Sequence, residues 1–356
     1  YNIPMNSDGD KAMLKGICPT QVFDASMAFI LQEGTNYPAV VRFVGAAVLS
    51  QLAGRSAIYL DDEQYRSLAR VVTFLLDIVA AEDEVTAGFR LPAVSLLDSF
   101  VFADAVRQRT ELCEAALPCG VVPKMLRLLR EHQEEEMLQS VAEVLRNMTY
   151  ACDAVREEFV REGGLEAMVQ LLEASPSLQS NSAATFWHMT MSKSETVKSA
   201  LDQVSSRVIP LLARLVHSKS PEVQRDAAGA LGGICTVSPK HAELVCHRSS
   251  VLGGILPQLL GVLKECGRVV DRVVIMSALL AVCRHGKCLD QCHKCLLVKS
   301  GTPSVIKTYL IPEQPQQFKK LAQETIKELE EGHVCHVCVS KRPGLYQVVN
   351  PAVRRA

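Results

Sequence analysis

Aromatic residues are scarce in this chain, at 5% of its 356 residues, and only one of them is a tryptophan. Strands favour aromatic and β-branched side chains, so this scarcity argues against a protein built from sheets. Small and aliphatic residues supply the core material instead, since 48% of the chain is hydrophobic. That composition suits closely packed helices and excludes a largely disordered chain.

A large charge of one sign is also lacking, because the formal net charge is −1. We therefore expect neither nucleic acid nor an anionic membrane surface as a partner. The longest apolar run, Val273 to Cys283, is about half the roughly 20 residues that a membrane span requires. Neither a transmembrane segment nor a signal peptide is expected.

Catalytic motifs are absent as well. The sequence has no Gly-rich phosphate loop, no nucleophile elbow and no HExxH motif. These absences predict that the protein is not an enzyme and uses no cofactor.

Cysteine is plentiful, with 13 residues scattered one or two at a time over apolar segments. A chain of this length and core content does not need a disulfide scaffold. Reduced cysteines that act as small hydrophobic residues explain the pattern better. This interpretation predicts a cytoplasmic, reducing location.

One stretch, residues 220–234 (SPEVQRDAAGALGGI), shows how the chain is organised. It predicts a helix with Ser220 as N-cap, a proline at the first helical position and small residues that lead to a glycine pair. The same apolar pattern recurs along the chain at intervals of 41 to 49 residues, which indicates a repeat protein. Alignment on the second glycine defines six equivalent rung positions: Gln51, Ser99, Asn147, His188, Gly233 and Val282.

Each repeat also has an upstream turn and an amphipathic helix that ends in paired aliphatic residues. Examples are Gly163-Gly164-Leu165 before Leu171-Leu172, and Val208-Ile209-Pro210 before Leu211-Leu212, where we expect Pro210 at a helix start. This arrangement resembles the armadillo repeat, in which a short first helix and two longer helices pack as a triangle. The resemblance implies an all-α fold, a right-handed α-solenoid of about six repeats with a degenerate C-terminal cap. The predicted domains are a loose N-terminal segment over 1–19, one solenoid over 20–330 and an extended tail over 331–356.

The resemblance also implies a binding surface. In armadillo proteins the third helices line a concave groove, where an Asn in each repeat binds the backbone of an extended peptide. Only Asn147 keeps that residue here, and the Trp that importin-like members carry one turn earlier is missing, which disfavours nuclear-signal binding. The predicted partner-binding groove consists of Gln51, Ser99, Asn147, Trp187, His188, Gly229 and Gly233.

Several of these residues allow two interpretations. Gly229, Gly232 and Gly233 each cost a helix roughly 1 kcal/mol relative to Ala, so they serve either close packing of neighbouring third helices or a smooth wall for a partner. Trp187 is either a packing residue or a binding hot spot. His188 is interpreted as a groove residue, because no carboxylate or nucleophile lies at a matching offset.

We therefore predict a non-enzymatic scaffold or adaptor that binds a peptide or helix of a partner protein. It could also belong to a multi-subunit assembly and associate with the cytoskeleton or a membrane through its partners. The alternative is an armadillo-type nucleotide-exchange factor for a chaperone ATPase or a small GTPase. Measuring nucleotide release from such partners, beside a His188→Ala variant, separates the two functions.

Two C-x-x-C pairs, Cys292 with Cys295 and Cys335 with Cys338, raise the question of zinc. The gap between the pairs is larger than in small zinc modules, and the first pair is predicted on a helix. Core and tail packing is the favoured interpretation, so we expect less than one zinc per chain in elemental analysis of the reduced, purified protein. A content of one zinc per chain that disappears in the Cys335→Ser variant would contradict this interpretation.

Overall fold

The computed structural model of the protein describes helices over much of the chain, and every regular element among the residues it describes is helical. This confirms the predicted all-α class. The predicted N-terminal segment, the tail, Gln51 and the two C-x-x-C pairs lie outside the described residues. The described residues are 62–81, 88–101, 116–238, 255–265, 268–285, 302–308 and 316–330, with single positions at 26, 27, 30, 43, 45, 46, 110, 113, 114, 241 and 310.

The chain divides into two compact units, one from Tyr1 to Glu162 and one from Gly163 to Ala356. The single solenoid over 20–330 stays a prediction. The first unit contains α1 (Asp62–Ala80), α2 (Arg90–Val101), a short 3-10 helix (Leu117–Cys119), α3 (Val121–Glu131), α4 (Glu135–Ala151) and α5 (Asp153–Arg161). The second contains α6 (Gly164–Leu171), α7 (Pro176–Thr190), α8 (Glu195–Leu215), α9 (Pro221–Val237), α10 (Ile255–Glu265), α11 (Val269–His285), α12 (Thr302–Lys307) and α13 (Gln316–Glu330).

Helix α9 begins as the sequence predicts. The Ser220 hydroxyl accepts a hydrogen bond from the backbone N–H of Val223 at 3.5 Å, and Pro221 occupies the first helical position. Proline fits there because the first helical N–H has no partner within the helix. Glu222 in the first turn adds a negative charge near the positive end of the helix dipole.

Two glycines make the turns that precede the second helices of two repeats. Gly120 (φ 70°) leads into α3 and Gly163 (φ 74°) leads into α6. Both lie in the left-handed region, which residues with a Cβ atom rarely adopt. These positions therefore need glycine because of the backbone conformation.

The third helices of the repeats stack on one another. Helix α2 packs against α4 in the first unit, and α7, α9, α11 and α13 pack in sequence in the second. The apolar residue two positions before each described rung position is buried, as the periodicity of a helix requires. These core residues are Leu97, Leu145, Phe186, Leu231 and Leu280.

Pro210 does not begin a helix, so that prediction is wrong. Helix α8 runs for 21 residues with Pro210 inside it and joins the first and second helices of its repeat into one. An internal proline removes a backbone hydrogen bond and clashes with the carbonyl four residues earlier. Val208 and Leu212 are both fully buried on either side of it, and this shared apolar contact compensates for the lost bond.

Buried cysteines contribute to the core. Cys113, Cys152 and Cys235 are buried, Cys119 is half-buried, and none of these four is in a disulfide. Burial raises the pKa of the Cys152 thiol and raises the pKa of Cys235 to about 12. A neutral thiol is inert and packs as a hydrophobic group, which agrees with the predicted role for these positions.

Helices α9 and α11 approach each other closely at Gly232. A Cβ atom built on Gly232 would lie 2.7 Å from the Cα atom of Ala278 and 2.9 Å from its Cβ atom. Backbone occupies that space, so no side-chain movement can relieve the overlap. Gly232 is therefore needed for packing. Gly261 in α10 provides a contrast, because a Cβ atom there would have no neighbour within 4 Å.

We expect Gly232→Ala to lower the free energy of unfolding by about 1–3 kcal/mol, because overlap with Ala278 outweighs the gain in helix propensity. Gly261→Ala is the matched control and should raise the free energy of unfolding by about 0.5–1 kcal/mol. Urea denaturation followed by circular dichroism measures both values. A stabilising effect of Gly232→Ala would show that the two helices can separate at little cost.

Candidate functional site

Six of the seven predicted groove residues are described by the structure, and they lie on the third helices in two groups. Ser99 on α2 and Asn147 on α4 belong to the first unit. Trp187 and His188 on α7, with Gly229 and Gly233 on α9, belong to the second. Within each unit the predicted residues come from helices that pack directly against each other.

Asn147 links α2 to α4. Its Nδ2 donates to Oδ1 of Asp98 at 2.7 Å, and its Oδ1 accepts from Nε and Nη2 of Arg146 at 3.3 and 3.2 Å. Arg146 Nη2 also reaches Glu143 at 3.4 Å. Asn147 is only 5% exposed, so its amide is committed to hydrogen bonds inside the protein.

Ser99 is turned toward its own helix. Its hydroxyl donates to the carbonyl of Ser95 at 3.0 Å, and the Ser95 hydroxyl donates to the carbonyl of Leu91 at 3.1 Å. Such bonds to the carbonyl four residues earlier are weak competitors of a ligand. The surface of α2 at this point therefore presents hydroxyl groups that can turn toward a partner.

Trp187 leans from α7 onto the bare backbone of α9. A Cβ atom on Gly229 would lie 2.7 Å from Cδ2 of the indole. The side chain is partly exposed. The indole thus has one face on a glycine backbone and an open part that can contact another molecule.

Gly233, at the rung position of α9, is also explained by packing. A Cβ atom there would lie 2.7 Å from Cβ of Thr190, whose hydroxyl donates to the Trp187 carbonyl at 2.6 Å. His188 is half-buried on the neighbouring rung position, with its ring centroid 6.3 Å from that of Trp187. The glycines therefore hold α7 and α9 close together and leave Trp187 and His188 as the side chains of this surface.

A charge cluster near the start of α9 was missed by the sequence reasoning. Arg225 Nε donates to Oδ1 of Asp226 at 2.7 Å, and its Nη1 lies 3.6 Å from Oδ1 of Asp271 on α11. The Ser180 hydroxyl on α7 donates to Oδ2 of Asp226 at 2.7 Å. The cluster therefore joins three consecutive third helices. Its signal in the sequence was an Arg-Asp pair inside a helix that is otherwise small and apolar.

Arg225 is held as a cation by its surroundings. Burial lowers the pKa of its guanidinium, but the hydrogen bond to Asp226 and the charges of Asp226, Asp271 and Glu222 outweigh that effect, so its pKa is raised above the ordinary value. The side chains of Asp226 and Asp271 are only 3% and 6% exposed, while that of Arg225 is 22% exposed. The arginine thus lies between two buried carboxylates and the protein surface.

Arg225 shares a helix face with two of the predicted residues. Arg225, Gly229 and Gly233 follow one another at intervals of four residues on α9, which places them along one stripe of the helix. Thr236, near the end of the same stripe, is exposed. This surface can form hydrogen bonds and apolar contacts with a partner.

Other kinds of site find no support in the described part of the chain. It holds no group of three His, Cys, Asp or Glu residues placed to bind a metal ion. None of its helices combines the length and the apolar character that a membrane span needs.

Sequence comparisons relate this chain to repeat proteins. A family profile described as Armadillo/beta-catenin-like repeat matches residues 199–236. Tetratricopeptide repeat protein 12 of Mus musculus is 28% identical over 210 residues, which cover 55% of this chain and 29% of the mouse protein. Vacuolar protein 8 of Saccharomyces cerevisiae is 27% identical over 127 residues, which cover 35% of this chain and 21% of the yeast protein. The chain thus spans less than a third of the length of these curated relatives.

Solved structures show the same architecture. A designed armadillo repeat protein matches with a TM-score of 0.56 at 16% identity, over 72% of this chain and 99% of that protein. Another designed armadillo repeat protein, solved in complex with the peptide (KR)4, matches with a TM-score of 0.52 at 16% identity, over 73% of this chain and 99% of that protein. These likenesses confirm the fold that the repeat pattern predicts.

The bond between Asn147 and Asp98 should contribute measurably to stability. In a double-mutant cycle of Asn147→Ala and Asp98→Ala, we expect a coupling energy of about 1.5 kcal/mol, because the bond is charge-assisted and Asn147 is buried. Urea denaturation of the four proteins gives that value.

The control cycle uses Arg207 and Glu166, an ion pair at 2.8 Å whose side chains are 58% and 55% exposed. Exposed pairs of this kind couple by about 0.5 kcal/mol or less. If the coupling of Asn147 with Asp98 is no larger than that of the control pair, Asn147 is not committed to α2 and is available to a ligand.

Proposed function

We propose that this chain is an armadillo-repeat protein that acts as a non-enzymatic interaction scaffold or adaptor. Its third-helix surfaces bind a peptide or a helix from a partner protein. The observation that carries the proposal is the Trp187 indole, which rests on the backbone at Gly229 beside His188 with part of its ring exposed. Tryptophan is one of the residue types that are enriched among the hot spots of protein interfaces.

The composition of the surface supports binding over catalysis. Trp187, His188, Thr190 and the glycines of α9 supply contact area and hydrogen-bonding groups. A related fold with a bound peptide is seen in the designed protein that holds (KR)4.

The location and the assembly state belong to the same proposal. Free, buried thiols such as those of Cys152 and Cys235 are typical of proteins in a reducing compartment, which supports a cytoplasmic location. Flat helical repeats can also contact several proteins at once, so membership of a larger assembly, on the cytoskeleton or at a membrane through partners, fits the fold.

The test uses Trp187 both as a probe and as a target, because it is the only tryptophan of the chain. Short peptides selected for binding to the full chain from a random display library should change its intrinsic fluorescence. Because Trp187→Ala lacks the indole, its affinity is measured by fluorescence anisotropy of the labelled peptides, and we expect binding at least about tenfold weaker than that of the wild type, as the loss of a hot spot gives.

The control is Glu173→Ala, which alters an exposed residue in the turn after α6 that pairs with Arg214 on α8. It should leave the affinity unchanged, and the melting temperatures of both variants report on folding. Peptides that bind Trp187→Ala as tightly as the wild type, or a library that yields no binder, would contradict the proposed role of this surface.

A further inference from the structure

Arg225 offers hydrogen-bond donors that the protein itself does not use. A guanidinium has five N–H groups. The Nε–H is bound to Asp226 at 2.7 Å and Nη1 faces Asp271 at 3.6 Å, whereas Nη2 donates to no group among the described residues. With 22% of its side chain exposed, Arg225 is accessible from the surface.

The position of the guanidinium is fixed by its neighbours. Asp226 is itself held by the Ser180 hydroxyl at 2.7 Å, and both carboxylates that face Arg225 are almost completely buried. A guanidinium between two such groups loses little further rotational freedom when a ligand binds. Donors that are positioned before binding contribute more to affinity than flexible ones do.

The charges around Arg225 select the kind of acceptor. Arg225 and Arg268 contribute two positive charges, while Glu222, Asp226 and Asp271 contribute three negative ones. Because the negative charges are in excess, a carboxylate or phosphate of a partner would be repelled. A neutral carbonyl oxygen accepts the same hydrogen bonds without that repulsion.

The indole of Trp187 lies one helical turn further along the same surface. It rests on Gly229, and Gly229 follows Arg225 by four residues, a rise of roughly 6 Å along α9. Two residues of an extended peptide span roughly 6–7 Å. An extended peptide that bonds Arg225 through a backbone carbonyl can therefore reach toward the indole with an apolar side chain about two residues away.

We propose that Arg225 and Trp187 together form a binding site for an extended, uncharged segment of a partner protein. Arg225 takes a main-chain carbonyl through Nη2, and Trp187 takes an apolar side chain. The inference rests on the proposed scaffold function and specifies its partner. A helical ligand is disfavoured at Arg225 because its carbonyls are already bonded within the helix, except in the last turn.

The first test compares three sets of fluorescent peptides of equal length, one neutral and rich in Leu, Phe, Ser and Gln, one acidic and one basic. Fluorescence anisotropy with the full-length chain measures the affinity of each set. We expect the tightest binders in the neutral set, and Arg225→Lys should weaken them about tenfold because it keeps the charge but removes the planar donor edge.

Arg268→Lys is the matched control. Arg268 also lies near Asp271, at 3.9 Å, but its side chain is 65% exposed. It should leave the affinity unchanged. Neutral peptides that bind Arg225→Lys as well as the wild type, or a preference for the acidic or basic set, would overturn the proposed site while the scaffold function stands. A chain that binds no peptide of any set overturns both.

A second test needs no change to the protein and so does not depend on the folding of a variant. Ester bonds replace the amides of the best neutral peptide one at a time, which weakens one backbone carbonyl as an acceptor in each derivative. We expect the ester at one position to lower the affinity for the wild-type protein about tenfold. The same ester should have no further effect in Arg225→Lys when that variant folds. A uniform response along the peptide would overturn the carbonyl contact.

Discussion

Close approach of neighbouring third helices is the constraint on which the rest of the second unit depends. Where α9 meets α11, Gly232 lies against the backbone of Ala278, and where α9 meets α7, Gly229 lies under the indole of Trp187. A side chain at Gly232 would overlap backbone atoms, and one at Gly229 would overlap the indole. The loss of helix propensity at these glycines is offset by the contact area that the close packing creates.

The same packing determines what the surface can offer to a partner. If Gly229 carried a side chain, the indole could not lie flat on α9, and Trp187 would have to move away from the helix. The close packing also brings α7 and α11 near enough to α9 for Ser180, Asp226, Arg225 and Asp271 to form one cluster. A buried carboxylate without such partners would be strongly destabilising, so the cluster and the helix spacing depend on each other.

In the first unit the corresponding surface is polar. Asn147 keeps the residue that armadillo proteins use for peptide backbones, yet it bonds to Asp98 and Arg146 within the protein. An amide that is satisfied in this way stabilises the contact between α2 and α4. The two units thus use their third helices differently. The first presents the Asn147 amide, whose hydrogen bonds are made within the protein, and the second presents the Trp187 indole and the Arg225 guanidinium.

The sequence by itself determined the helical class, the repeat and the start of α9 at Ser220, because caps, glycine turns and apolar periodicity are local signals. It also predicted Trp187, Gly229 and Gly233 as groove residues, because Gly233 and His188 occupy equivalent repeat positions, Gly229 lies one turn before Gly233, and Trp187 is next to His188. It could not show that Pro210 lies inside a helix, because burial on both sides of the proline overrides the local rule. Only the tertiary structure decided that Arg225 faces Asp271, 46 positions later, and that Asn147 donates a hydrogen bond to Asp98. Such pairings depend on which helices lie side by side in space.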